Sequence, residues 1–169
     1  MGASDSGKIY GYLAADHGRM DDALRCASSQ PGVIEPSAYA EFRTGLLRHI
    51  SLEEKILLSA ARLPRGGEPL PIASKLRLDH GALTALLVPT PTPAIVAVIW
   101  VLLERHNLVE ESLGEVYERC EQLAGAEAGE IFNRLMTAPA VKMLPHVDNA
   151  FVLEAARRAL KRAGYDFAL

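Results

Sequence analysis

The stretch Arg48-His49-Ile50-Ser51-Leu52-Glu53-Glu54 decides the fold, because it places a histidine and a carboxylate four residues apart within a helical pattern of apolar residues. The stretch His106-Asn107-Leu108-Val109-Glu110-Glu111 repeats this spacing further along the chain. Residues i and i+4 of an α-helix lie on one face, about 6 Å apart along the axis. We therefore expect each imidazole to project beside its carboxylate into the core.

Two further helical stretches carry a histidine in the apolar stripe that faces the core. His17 lies between Leu13 and Met20, and His80 lies between Leu76 and Leu83. A buried carboxylate costs several kcal/mol unless it is paired or bound to a metal. Because the four stripes contain no Lys or Arg, two glutamates among four imidazoles indicate a cation. Two divalent metals bridged by the glutamates would satisfy that need.

Turn residues divide the chain into helical pieces, with no strand alternation and no internal repeat. We predict helices over about 6–29, 36–63, 71–88, 93–123, 126–137 and 150–163, with Ser6 and the Thr92-Pro93 pair at helix starts. Four long helices joined by short turns predict an all-α, up-down-up-down four-helix bundle with additional C-terminal helices. We expect residues 1–145 to form the bundle domain and residues 146–169 a C-terminal helical extension.

Composition excludes several classes of protein. The chain has 169 residues, a net charge of −3 and no basic block, so we expect no nucleic-acid partner. Only Cys26 and Cys120 are present, without a CxxC pair, which excludes a disulfide scaffold and a zinc ribbon. No apolar run is long enough to span a bilayer, and residues 1–8 lack an apolar signal core. We therefore expect a cytoplasmic protein with no membrane partner.

Several site assignments stay open at this level. Glu54 competes with Glu53, and Glu111 competes with Glu110, although a residue at i+5 lies about 140° from the histidine and reaches the site only through a helix distortion. Asp21 follows His17 by four residues and is either a terminal ligand or a solvated edge. Tyr117 shares the helix face of Glu110 about 10 Å further along the axis, where it either packs or lies behind the ligands. His146 is expected in a surface turn.

These residues together resemble a hemerythrin-like domain, also called an HHE cation-binding domain. The resemblance covers about residues 8–123 and is carried by Asp16–Asp21, Phe42–Glu54, Leu78–Gly81 and His106–Glu111. It implies a non-haem di-iron centre with Glu53 and Glu110 bridging the two ions. Its implied ligands are His17, His49, Glu53, His80, His106 and Glu110, with Asp21, Glu111 and Tyr117 as further candidates for ligands or outer partners.

One departure from the oxygen-carrying members of that family concerns Thr84, which stands where their third helix has a second histidine. The resemblance therefore implies a protein that senses or handles O2, peroxide, nitric oxide or iron, rather than a reversible carrier. No dedicated catalytic residue is visible, so enzymatic activity stays open, and other divalent metals could replace iron in the purified protein.

The alternative function is an interaction or regulatory module whose metal site is mainly structural. The amphipathic C-terminal helix would pack on the bundle or on a second copy in a homodimer. A ferritin-type oxidase is disfavoured because its Glu-x-x-His order is reversed here.

Overall fold

The computed structural model describes residues 7–167 and residue 169, and within them the chain forms helices and turns but no β-strand. The predicted all-α class is confirmed. Eight α-helices follow in chain order: α1 Lys8–Ala27, α2 Pro36–Leu52, α3 Leu58–Arg62, α4 Ala73–Leu86, α5 Pro93–Glu111, α6 Val116–Ala124, α7 Ala128–Thr137 and α8 Ala150–Arg162. The expected helix start at Ser6 lies outside the described residues.

Two long helices begin with a proline in their first turn and an oxygen that caps the free N–H groups. The carboxylate of Glu35 accepts hydrogen bonds from backbone N–H groups in the first turn of α2. The hydroxyl of Thr92 accepts one from the N–H of Ile95 at 3.2 Å, and Pro93 opens α5. Proline fits here because its missing N–H would be unsatisfied in any case. The predicted start of α5 is confirmed.

The helical run predicted over 36–63 is present but contains a distortion at the site. α2 passes into a π-helical turn, Glu53–Leu57, before α3 resumes the α-helical path. A π turn widens the helix by one residue and occurs often at functional sites. The hydroxyl of Ser59 donates to the carbonyl of Glu54 at 3.1 Å beside this turn.

The single helix predicted over 93–123 is wrong, because α5 ends at Glu111 and α6 begins at Val116. Ser112 has an extended ψ of 146°, and Gly114 has a φ of +78°, which favours glycine. The backbone N–H of Gly114 donates to the side chain of Glu118 at 2.7 Å and stabilises the turn. Leu113, within this turn, is 93% exposed.

The apolar core has two parts, and the histidines and glutamates lie between them. On α1, Leu13 belongs to one part and Met20 to the other, with buried His17 between them. On α4, Leu76 and Leu83 flank buried His80 in the same way. α1 packs along α2, α4 packs against α5, and α6 contacts α1, α3 and α5. A buried polar layer therefore crosses the whole helical core.

The C-terminal helix covers the core from the outside. α8 packs against α4, and Ala156, Ala159 and Leu160 are buried in the same core part as Met20. The predicted amphipathic face is thus occupied within the chain. No helix among the described residues combines the length and apolar character needed to cross a membrane.

Candidate metal centre

Four imidazoles meet in the buried layer with their Nε2 atoms turned inward. The Nε2 atoms of His17 and His49 are 2.9 Å apart, and those of His80 and His106 are 3.1 Å apart. All four side chains are buried. Donors held about 2.1 Å from one ion lie about 3 Å from each other. Each histidine pair therefore has the spacing of two ligands on one metal ion.

Two carboxylates lie between the histidine pairs and face both. Glu53 places Oε1 3.3 Å from Nε2 of His49 and Oε2 3.1 Å from Nε2 of His80. Glu110 places Oε1 3.0 Å from Nε2 of His106 and Oε2 3.4 Å from Nε2 of His17. Each carboxylate therefore reaches across the site with both of its oxygens.

Two overlapping groups of ligand atoms result, and each group lies within 4.8 Å. One group contains His17 and His49, the other contains His80 and His106, and both contain Glu53 and Glu110. All of these residues are buried, and imidazole with carboxylate is a donor set suited to iron, zinc and related ions. The buried clusters can hold metal ions.

The hydrogen-bond inventory of the site also fits a cation. Oε2 of Glu53 and Oε1 of Glu110 are buried without a hydrogen-bond partner. An unsatisfied buried acceptor costs about 1–3 kcal/mol, and more when it is charged. Both atoms face His80, at 3.1 Å and 3.8 Å from its Nε2. A metal ion between these atoms would satisfy them, so the residues present fit the dinuclear metal centre that the sequence implies.

Each histidine has a second carboxylate behind it, on its Nδ1 atom. Nδ1 of His80 lies 2.8 Å from Glu54, Nδ1 of His49 lies 3.2 Å from Asp16, and Nδ1 of His106 lies 3.5 Å from Asp79. Nδ1 of His17 is hydrogen-bonded to Glu111. Such outer carboxylates fix the tautomer and orientation of ligating imidazoles.

The sequence left open which of two successive glutamates faces the centre, and the structure distinguishes them. Glu53 and Glu110 face inward and belong to both ligand groups. Their neighbours Glu54 and Glu111 face the outer Nδ1 atoms of His80 and His17 instead. The π turn that begins at Glu53 helps two successive side chains reach the same buried layer. Asp16, Glu54 and Asp79 were not predicted as outer partners.

The pKa values reflect this concentration of opposite charges. Burial would lower the pKa of His49, but Glu53 and Asp16 outweigh burial and raise it to about 10. Burial is outweighed in the same way by Glu110 and Glu53 at His80, whose pKa is raised to about 11, and mainly by Glu110 at His106, whose pKa is raised to about 9.

The pKa values of the two inner carboxylates, Glu53 and Glu110, shift in the opposite direction. Burial and the charge of Glu110 would raise the pKa of Glu53, but the imidazoles of His49 and His80 lower it to about 2. Burial would raise the pKa of Glu110, and His106 foremost holds it well below its usual value. Both groups are therefore ionised at neutral pH, as metal ligands must be.

Tyr117 lies inside the site, and the expectation that it stays about 10 Å from Glu110 is wrong. Its hydroxyl donates to Oε1 of Glu53 at 2.6 Å and lies 3.1 Å from Oε2 of Glu110. The break after Glu111 turns α6 back, so that the ring becomes fully buried. Burial, together with Glu53 and Glu110, raises the pKa of this phenol well above its usual value.

The remaining candidates lie outside the two ligand groups. Asp21 lines a groove of about 810 Å³ between α1 and α5, which reaches the site at His17 and also includes Gly18 and Glu111. His146 lies in the loop before α8, where its Nδ1 is 3.3 Å from the carbonyl of Val88. The groove gives small molecules and ions a path from the surface to His17.

The site residues repeat along the chain, although we predicted no internal repeat. Asp-His-Gly occurs at 16–18 and 79–81, and Arg-His-x-x-x-Glu-Glu occurs at 48–54 and 105–111. Asp16 lies behind His49, and Asp79 lies behind His106 in the same way. Glu54 and Glu111, the last residues of the second motif, lie behind His80 and His17 of the opposite ligand group. The two ligand groups are therefore built from matching histidines and carboxylates. This repetition is the signal that could have identified the outer carboxylates.

Comparisons of the chain with models of protein families, with curated proteins and with solved structures found no match. The assignment of a function therefore rests on the residues of the site and on their order along the chain.

Proposed function

We propose that this chain is a dinuclear non-haem iron protein, built as a four-helix bundle of the hemerythrin-like type. The observation that carries the proposal is the pair of overlapping buried ligand groups that share Glu53 and Glu110. Two bridging carboxylates and two imidazoles for each ion form a donor set that suits iron. Iron in such a site supplies redox electrons and open coordination positions for small ligands such as O2, peroxide or nitric oxide.

The chain itself orients the imidazoles and keeps bulk water away from them. Outer carboxylates are hydrogen-bonded to Nδ1 of three histidines, and Asp79 lies 3.5 Å from Nδ1 of His106, which leaves the Nε2 atoms free to bind metal. Apolar residues close the site along the bundle axis on both sides. The groove at His17 is the path through which a small ligand reaches the centre.

We propose that the protein senses or handles these small ligands, or iron itself, and does not carry oxygen reversibly. Thr84 supports this distinction, because its hydroxyl donates to the carbonyl of His80 at 2.7 Å and the residue belongs to neither ligand group. Without a nitrogen donor at this position, the ion held by His80 and His106 would have two imidazoles and two carboxylates as its protein ligands. Hard oxygen donors then favour the ferric state.

Metal analysis of matched variants tests the dinuclear assignment. After growth with ample iron, we expect about two iron ions per chain. Glu53→Ala and Glu110→Ala should lose both ions, since each carboxylate serves both groups. Glu54→Ala and Glu111→Ala remove adjacent carboxylates that lie behind the histidines, and each should weaken one ion without the loss of both. His146→Ala should leave the metal content unchanged.

A result of one ion or none per chain would contradict the proposal. Two ions that stabilise the fold but do not respond to oxygen, peroxide or nitric oxide would instead support the interaction module with a structural metal site.

A further inference from the structure

The two halves of the site have matching histidines and carboxylates, but one half also has a phenol, which belongs to Tyr117. Both halves have a histidine pair, share the bridging carboxylates and have carboxylates on the Nδ1 atoms. Tyr117 follows Glu110 by seven residues, whereas the residue seven positions after Glu53 is Ala60. One half of the site therefore has a phenol, whereas the residue at the same sequence separation in the other half has only a methyl group.

The phenol oxygen is close to every ligand atom of one group. It lies 3.0 Å from Nε2 of His17 and 3.1 Å from Nε2 of His49. It also lies 2.6 Å from Oε1 of Glu53 and 3.1 Å from Oε2 of Glu110. A hydroxyl has one hydrogen to donate and two lone pairs, so it satisfies at most three of these four neighbours.

The fold holds this ring in place. The side chain is fully buried, the ring of Tyr10 contacts it edge-on at 6.1 Å, and the ring of His17 is 5.6 Å away. The interruption between α5 and α6 positions the residue, because a straight helix would carry it about 10 Å away from Glu110 along the axis. Its position is therefore a consequence of the turn at Ser112–Gly114.

We propose that Tyr117 is a further metal ligand, which binds the ion held by His17 and His49 and makes the two ions chemically unequal. This inference rests on the proposed dinuclear iron site. When ferric iron binds, the O–H bond of the phenol breaks, an iron–oxygen bond forms, and the proton leaves to solvent; no electron is transferred. The ion held by His80 and His106 has no phenolate and is left as the more open of the two.

Absorption and resonance Raman spectra of the ferric protein test this inference. A phenolate bound to ferric iron gives a charge-transfer band in the visible region, and excitation in that band enhances the ring vibrations of the bound tyrosine. We expect the wild type to show both features. Tyr117→Phe should lose both while it retains about two iron ions per chain.

Tyr39→Phe is the matched control, because Tyr39 is also buried but packs on Phe42 and His146 away from the ligand groups. It should retain the band. Ring-deuterated tyrosine in the wild type should shift the enhanced vibrations, which identifies the ligand as a tyrosine even if Tyr117→Phe folds poorly. Among the described tyrosines, Tyr117 is the one whose hydroxyl lies within hydrogen-bond distance of the ligand groups.

The outcomes separate this inference from the function on which it rests. A ferric wild type with two ions but no phenolate vibrations overturns the assignment of Tyr117 and leaves the dinuclear site intact. A band that persists in Tyr117→Phe also overturns it. A wild type without iron would instead remove the proposed function. Mössbauer spectra should show two unequal iron sites that become more alike in Tyr117→Phe.

Discussion

Removal of the Asp16 carboxylate is expected to weaken one metal ion more than the other. Oδ2 of Asp16 lies 3.2 Å from Nδ1 of His49, and His49 belongs only to the ligand group that also contains His17. Loss of a carboxylate behind a ligating histidine typically lowers metal affinity by about 10- to 100-fold, or about 1.4–2.7 kcal/mol. We expect Asp16→Ala to weaken the ion at His17 and His49 by this factor.

The effect on folding should be smaller than the effect on metal binding. The Asp16 side chain is 13% exposed, and its other contact is an ion pair with Arg19, whose side chain is 60% exposed. Exposed ion pairs contribute only about 0–1 kcal/mol to stability. Asp16→Asn retains an acceptor for Nδ1 and should lose less affinity than Asp16→Ala. Asp22→Ala removes a carboxylate that is 75% exposed and paired with Arg25, and should leave both ions unaffected.

The assay is a titration with Fe²⁺ under argon in competition with a chelator, which resolves two binding steps. In Asp16→Ala one step should weaken and the other should stay close to that of the wild type. Asp79→Ala should weaken the other step, because Asp79 lies behind His106. Unchanged affinity in both variants, or equal weakening of both steps in each, would refute the view that matching outer carboxylates serve separate ions.

Three further predictions follow from the geometry. Binding of Fe²⁺ under argon at pH 7 should release about three protons per chain, since metal binds neutral imidazole and the pKa values of three histidines are raised to between about 9 and 11. Affinity for Fe²⁺ should therefore rise with pH. A pH indicator in weak buffer measures the protons released, and no release would contradict this prediction. Gly18→Trp should fill the groove and slow Fe²⁺ uptake without a change in final content, whereas Gly11→Trp, on the same helix but outside the groove, should load at the wild-type rate. Cycles of air and argon on the reduced protein should give no reversible visible band, because Thr84 supplies no nitrogen donor; a band that appears and disappears over several cycles would indicate a carrier.

The inner ligands could be predicted from the sequence because a helix converts spacing into direction. His49 and Glu53, or His106 and Glu110, are one turn apart, so their common face follows from the helix period alone. Their burial also followed from the sequence, since each histidine interrupts an apolar stripe. The structure brings all six predicted ligands together in the two groups.

Contacts between helices were harder to predict, because they depend on how the chain turns. The turn between α5 and α6 brings Tyr117 into the centre. The sequence indicates this helix break only weakly, because the turn Ser112-Leu113-Gly114 contains a single glycine within an apolar stripe. Asp16 and Asp79 lie beside histidines on neighbouring helices, and no spacing within their own helix indicates this. Only the repeated Asp-His-Gly and Arg-His-x-x-x-Glu-Glu motifs, which our sequence analysis did not use, could have indicated these roles.

Anomalous diffraction at the iron absorption edge, on crystals of the iron-loaded protein, tests the dinuclear centre most directly. We predict two iron peaks in the buried layer, one beside His17 and His49 and one beside His80 and His106, with Glu53 and Glu110 between them. A single peak, or iron located away from these residues, would contradict the account.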